Sequence, residues 1–193
     1  MPKRILVING HPDTREERFC SGLSNAYVAT AAKAGHDVRR IDVGALRFPV
    51  LVRYEEFQTP IDNDDIRKAQ QDILWAEHLV FIHPLWLGTI PAMLKAFLER
   101  VACGGFAFDS GTAGNPRRAL TGKSARLIVT MGMPAVAFRV IFGGYGEKSF
   151  ERGILRLSGV WPVRKTYFGA IELSERHRDN CLATVRRLAA AGK

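Results

Sequence analysis

The stretch 79–101 constrains this chain more than any other. Residues 79–82 form a short continuous apolar run, the pattern of a strand buried on both faces of a parallel sheet. Residues 83–88 contain Pro84 and Gly88, so the chain has to leave the strand and turn. From Thr89 onward, Ile90, Leu94, Phe97, Leu98 and Val101 fall at the spacing of one helical face. Thr89 is the expected N-cap, and Pro91 fits the first turn, where a missing N–H does no harm. The turn lies at the carboxyl edge of an open parallel sheet, where such folds bind ligands. It places Trp86 between Leu85 and Leu87. Large apolar side chains there need cover: a flat aromatic cofactor, a partner subunit, or the sheet edge itself.

The rest of the chain supplies more units of this kind. Residues 4–9 are a buried first strand, ended by Gly10, His11, Pro12 and Asp13. Thr14 and Glu17 have capping-box spacing, so a first helix is expected from Thr14. Its inward face reads Phe19, Leu23, Ala26, Tyr27, Thr30 and Ala34, and Gly35 caps it. Residues 37–43 follow as a second strand, completing a right-handed βαβ unit. Residues 45–62 are irregular, a long excursion of the kind used as a lid or dimer contact. A helix is expected over 63–77, with Ile66, Ala69, Ile73 and Leu74 inward.

Gly104 and Gly105 with Phe106 and Phe108 suggest an ordered turn, and 109–118 a mobile surface loop. Residues 123–131 are a fourth strand, ending in Gly132, Met133 and Pro134 at the same edge as Trp86. A glycine-rich break at 143–146 precedes a helix over 147–158, with Phe150, Ile154 and Leu157 on one face and Gly159 as cap. Residues 163–170 are a fifth strand, and Ser174 starts a last helix whose inward face is Leu182, Val185 and Leu188. Five strands separated by helices imply one α/β domain over 1–193, a doubly wound five-stranded parallel sheet of flavodoxin-like order 2-1-3-4-5. Its switch point brings the turns at His11, Trp86 and Gly132 together.

Composition narrows the function classes. The chain has 193 residues and a formal charge of +9, but its basic pairs are scattered and no nucleic-acid motif is present. Such a surface suits phosphorylated small molecules better than nucleic acid. No apolar run approaches the roughly 18 residues that span a bilayer, and Pro2, Lys3 and Arg4 lead straight into a strand without a signal peptide. Cys20, Cys103 and Cys181 are widely spaced, which suggests free thiols in a reducing, cytoplasmic compartment and no zinc site. The first turn lacks the dinucleotide fingerprint G-x-G-x-x-G. It still feeds a helix N-terminus able to bind an anion, with His11, Arg15 and Arg18 as further donors. The other reading of His11 is a ring stacked on Pro12 and hydrogen-bonded to backbone.

Three groups of residues carry a resemblance: Gly10-His11-Pro12-Asp13; His83-Pro84-Leu85-Trp86 with Gly88, Pro91, Ala92, Leu94 and Lys95; and Gly104-Gly105-Phe106-Ala107-Phe108. Together they resemble the flavodoxin-like NAD(P)H:quinone reductase family, that of DT-diaphorase and the bacterial modulator-of-drug-activity proteins. The resemblance covers about residues 3–172. It implies a flavin, FMN or FAD, lying across the carboxyl edge of the sheet. By position, His11, Arg18, Phe19 and Cys20 would bind its phosphate. Pro84, Leu85, Trp86 and Leu87 would lie against the ring, and Thr130, Met131, Gly132 and Met133 would meet the ring's polar edge. The resemblance also implies a homodimer with NAD(P)H as reductant.

Two departures stand out. Arg18 and Cys20 replace a serine and an asparagine common around the family's phosphate turn. Phe138 and Tyr145 lie nearest the places of a tyrosine and a histidine thought to assist hydride transfer in DT-diaphorase. The expected activity is two-electron reduction of quinones or similar acceptors. Gly132, through backbone N–H, and the Tyr145 hydroxyl are the groups expected to aid hydride transfer. A regulatory subunit, similar to the ancillary reductases of potassium efflux systems, is the alternative.

Overall fold

The computed structural model describes residues 1–109 and 117–193. Its centre is a parallel sheet of β1 (Arg4–Asn9), β2 (Asp37–Asp42), β3 (His78–Pro84), β4 (Ser124–Thr130) and β5 (Val163–Phe168). The strand order is β2-β1-β3-β4-β5, the order expected from the sequence. Alternate residues of β1 and β3 enter two cores. On one face, Leu6, Ile8, Leu79 and Phe81 pack with α3 (Asp64–Trp75) and α4 (Ala92–Val101). On the other, Ile5, Val7, Val80 and Ile82 pack with α1 (Phe19–Lys33) and α7 (Glu175–Ala190). Both faces are covered, which is why the strands read as unbroken apolar runs. No helix of the described residues is long and apolar enough to cross a membrane.

Several boundaries differ from expectation. α1 begins at Phe19, not Thr14, and has no side-chain cap. Asp13 accepts from the Arg15 amide and binds the Arg15 and Arg18 side chains, which keeps 13–18 as a loop. The late start turns the helix: Cys20, Ser21, Ser24 and Ala31 are buried beside Leu23 and Tyr27, whereas Ala34 is exposed. β3 runs on through His83 to Pro84. The Leu85 amide donates to the Thr130 carbonyl on the β4 side, so the Pro84 nitrogen points the other way, where β1 has already ended. A proline there loses no ladder bond. Thr89 closes the turn with Trp86, and α4 starts only at Ala92, with Pro91 at its N-cap.

The excursion over 45–62 contains a short helix, α2 (Tyr54–Gln58), strapped to α4 by Arg100, which binds the Pro49 and Val50 carbonyls and Glu56. The surface loop expected over 109–118 lies largely outside the described residues. Its ends pair as a two-residue antiparallel ribbon, Phe108–Asp109 with Arg117–Arg118. After α5 (Ala135–Val140), α6 (Tyr145–Ser149) runs directly into a π-helical segment, Phe150–Arg156. The wider turn makes Phe150 and Leu155 the buried pair, while Leu157 faces solvent and Ile154 is half-buried. Leu74 is also exposed, and α7 buries Cys181, Val185 and Ala189 with Leu182 and Leu188 at its margin.

The expected start of α3 is confirmed. Asn63 Oδ1 accepts from the Ile66 amide at 3.1 Å, and its Nδ2 donates to the Arg47 carbonyl at 2.9 Å. Asn63→Ala removes both bonds, so urea unfolding should show a loss of about 0.5–2 kcal/mol.

Candidate functional site

The site is built where β3 outlasts β1. β1 ends at Asn9, paired with Ile82, while β3 continues beside β4 as far as Pro84 and Thr130. The β1–α1 loop therefore parts from the β3–α4 turn and leaves a crevice at the strand-order reversal. Asn9 anchors one wall: it is fully buried, its Nδ2 donates to Asp42 Oδ1 at 2.9 Å, and its Oδ1 accepts from the His11 amide. Gly44 lets the chain after β2 approach this loop, since a Cβ there would lie 2.1 Å from the Pro12 carbonyl oxygen.

His11 is half-buried and faces the opposite wall, its ring edge-on to Trp86 with centroids 5.6 Å apart. Its Nδ1 accepts from the Asp13 amide at 3.0 Å, so the neutral ring carries its proton on Nε2 and can donate there. The reading of His11 as hydrogen-bonded to backbone holds, and its other nitrogen neither accepts nor donates a bond among the described residues. Burial lowers the His11 pKa, and nearby Arg18 lowers it further, against the attraction of Asp13. Asp13 is held well below the usual carboxylate range, first by hydrogen bonds from Arg15 and then from Arg18. Arg15 Nη2 and Arg18 Nε lie 2.7 and 2.6 Å from Asp13 Oδ2. Asp13 is the organiser that sequence reasoning missed, although an Asp two residues before a loop arginine is an Asx-turn signal.

The first turn of α1 has no acidic residue and no side-chain cap, and its Ser21 hydroxyl is buried without a partner among the described residues. An uncapped helix start with an orphaned hydroxyl suits a phosphate. Phe19 packs partly into the core beneath it. Cys20 is buried, its Sγ 3.4 Å from Thr130 Oγ1, which ties α1 to the end of β4. Burial pushes its thiol up to about 11, so it is inert packing at neutral pH.

The middle wall is the turn Trp86–Thr89, closed by two backbone bonds of 2.9 and 3.0 Å. Leu87 and Gly88 both have positive φ, 47° and 79°, as a type I′ turn requires. A leucine in that region is strained by about 1–2 kcal/mol, and Leu87 is also fully exposed. Trp86 is about half exposed at 47%, while Pro84 is buried and Leu85 packs partly into the core. The third wall follows β4. Thr130 and Met131 are buried, so they shape the floor, whereas Gly132 and Met133 are exposed. The amides of Gly132 and Met133 have no acceptor among the described residues and remain free to donate.

Two sequence candidates separate. Phe138 is buried against Tyr167 with ring centroids 5.9 Å apart, so it is core and does not reach a ligand. Tyr145 is exposed on the glycine-rich segment, which packs against the Trp86 turn: a Cβ on Gly146 would lie 2.1 Å from the Gly88 carbonyl oxygen. The crevice thus offers an anion seat, an apolar turn and free amide donors, the recognition elements of a flat aromatic group that carries a phosphate. No cluster able to hold a metal ion occurs among the described residues.

A family model described as a flavodoxin-like fold matches residues 3–190. A glutathione-regulated potassium-efflux system ancillary protein of Serratia proteamaculans is 32% identical over 150 residues, 78% of this chain and 69% of that protein. A protein of Haemophilus influenzae named as an uncharacterized NAD(P)H oxidoreductase is 27% identical, covering 87% and 84%. A ribosyldihydronicotinamide dehydrogenase-like protein of Penicillium crustosum is 28% identical over 78% of this chain, and the match spans only 61% of that longer relative.

The state of His11 gives a direct test. Because its folded pKa lies below the ordinary 6.5, it contributes stability that is present above that value and lost as pH falls through the folded value. In ligand-free protein, NMR titration should place His11 below 6.5, and a phosphate dianion seated at α1 should move it upward.

Proposed function

Because the chain belongs to the flavodoxin-like fold family, we propose that it is a flavin-dependent NAD(P)H oxidoreductase that reduces quinones or related acceptors by two electrons. The observation that carries this reading is the convergence of an uncapped helix start, an exposed Trp86 turn and two free amides on one crevice. When bound, the flavin supplies the hydride chemistry. The α1 N-terminus and His11 Nε2 hold the phosphate, with Arg18 adding positive charge. Trp86 and Leu87 cover the ring and exclude water. The Gly132 and Met133 amides donate where negative charge collects in the reduced state, which lowers the barrier without a titrating side chain. Tyr145 places a hydroxyl at the open side, where nicotinamide and acceptor alternate.

FMN fits the reading better than FAD, since a single phosphate matches the one anion seat described. Supporting a homodimer are the exposed Val136, Val140, Ile141 and Phe142 beside the site, an apolar patch that a second copy would cover. Three buried free cysteines accord with a cytoplasmic setting. The similarity to the potassium-efflux ancillary protein supports a second reading, a flavin-binding regulatory subunit of a membrane transporter. Recovery of such a transporter from a membrane fraction would favour it.

The visible spectrum of purified protein, with mass identification of the released cofactor, tests the primary reading. A colourless chain that binds neither FMN nor FAD on titration would sink it. Arg18→Glu should weaken flavin binding by about 1–3 kcal/mol, the range for charged hydrogen bonds. Retention unchanged through dialysis would return Arg18 to the solvated surface. Tyr145→Phe removes only the hydroxyl and should slow stopped-flow flavin reduction by roughly tenfold or more, given acid–base contributions of about 10²–10⁴. A rate within about a factor of two would leave the backbone amides as the only stabilising donors.

A further inference from the structure

The roles above leave one pair of titratable groups unused. His83 and Glu147 are both fully buried, with Nε2 and Oε2 3.6 Å apart. Neither Glu147 oxygen nor His83 Nε2 has a hydrogen-bond partner among the described residues. The two residues come from different walls of the crevice. His83 is one residue from the end of β3, just before the Trp86 turn, and Glu147 lies in α6, two residues after Tyr145.

The other ring nitrogen fixes the proton count. His83 Nδ1 lies 3.1 Å from the Pro84 carbonyl oxygen, and a carbonyl only accepts, so Nδ1 carries a hydrogen. One further proton then belongs between Nε2 and the carboxyl group. Without it, a nitrogen lone pair and a carboxylate would face each other away from water, an arrangement that is strongly disfavoured. Whether that proton sits on nitrogen or on oxygen, the pair is neutral overall and attractive. The surroundings offer nothing in its place. The Phe150 ring lies 6.0 Å from the His83 ring. On β5, Tyr167 faces the pair, its hydroxyl pushed up to about 12 by burial and then by the charge of Glu147. Arg139 from α5 and Glu151 from the π-helical segment are the other charges that act on Tyr167.

The segment just before Glu147 is weakly held otherwise. Gly143 and Gly144 are both left-handed, at φ 59° and 60°. The Gly144 and Tyr145 amides make long bonds of 3.3 and 3.4 Å, and Ile141 and Phe142 are exposed. Two adjacent contacts press the segment onto the β3 turn: Gly146 against Gly88, and Glu147 against His83.

We propose that His83 and Glu147 are a positioning pair whose shared proton pins the segment 143–146, and Tyr145 with it, against the Trp86 turn. The pair thereby sets the width of the crevice on the side where nicotinamide and acceptor enter. That consequence rests on the functional reading above; the pinning does not.

Trypsin reads the pinning directly, because the exposed Arg139 and Lys148 flank the segment. Glu147→Leu removes the partner at nearly constant volume, whereas Glu147→Gln keeps a group that can donate to or accept from Nε2. In the protein as purified, cleavage at Arg139 and Lys148 should be about tenfold faster in Glu147→Leu and return to within about threefold of wild type in Glu147→Gln. Wild-type protection in Glu147→Leu, or equal exposure in both variants, would overturn the pairing. In the flavin-loaded enzyme, Glu147→Leu should raise KM for NAD(P)H about fivefold at unchanged flavin content. An unchanged KM would overturn the positioning role while leaving the flavin reading intact. A chain that takes no flavin would sink that reading alone, and proteolysis would still decide the pinning. Should Glu147→Leu fail to fold, ¹H–¹⁵N spectra of the wild-type imidazole answer the question. An Nε2 that is protonated or hydrogen-bonded supports the pair, and an Nε2 that is neither overturns it.

Discussion

The ligand edge of this protein depends on one mismatch of strand lengths. β3 pairs with β1 only as far as Ile82 but with β4 as far as Pro84. Two extra residues of strand carry the chain past the end of β1 before it turns, so the Trp86 turn stands above the β1–α1 loop and meets it edge-on through His11. Pro84 suits the place because the missing N–H faces the side with no neighbour. Had β1 continued, that proline would have cost a ladder bond and the crevice would have closed. The parallel sheet supplies the rigidity. Each wall is the first few residues beyond a buried strand, so its position is fixed by the core and not by the loop.

Charge at the proposed phosphate seat is arranged as a paired cluster and not as a bare cation. Asp13 takes hydrogen bonds from both Arg15 and Arg18, which orders their side chains before any ligand arrives. The Asp13–Arg15–Arg18 cluster keeps one excess positive charge, although Glu16 and Glu17 leave the loop as a whole net negative, and pre-ordering reduces the entropy that binding has to overcome. His11 is kept neutral by burial and by Arg18, with Nε2–H as its exposed donor. A neutral donor beside an arginine tolerates both an anion and an aromatic ring, which suits the site proposed to receive both.

The strand order and all five sheet strands were legible in the sequence: β1, β3 and β4 are buried and leave apolar runs, whereas the edge strands β2 and β5 carry charged residues and were legible from their places between helices. The helices were less so. The Thr14–Glu17 spacing matches a capping box, yet Asp13 competes for the same stretch and wins with five hydrogen bonds from Arg15 and Arg18, which moved the start of α1 to Phe19. The apolar face expected for 147–158 assumed 3.6 residues per turn. The π-helical segment widened the turn and replaced Ile154 and Leu157 by Leu155 as the buried partner of Phe150. At the sheet edge, the sequence offered the three turns but not the side-chain pairings between them. His83 and Glu147 are 64 positions apart with no shared motif, and only the fold brings their side chains to 3.6 Å.

What the crevice lacks says as much about its chemistry as what it holds. Cys20 is buried and its thiol raised, Thr130 is buried, and Phe138 is core. No exposed nucleophile with an adjacent base stands at the edge of the sheet, so the nucleophilic arrangement that covalent catalysis needs is missing among the described residues. The groups left facing outward are amide N–H donors, an imidazole N–H, apolar rings and the Tyr145 hydroxyl. Those are groups that hold and polarise another molecule. Leu87 makes the same point through strain: a leucine sits in a left-handed position that asparagine or glycine would occupy at lower energy, and its side chain is fully exposed. A strained, exposed leucine is of use only when something covers it, and under the proposed function that cover is a cofactor that carries the reactive chemistry while the protein shapes and shields it.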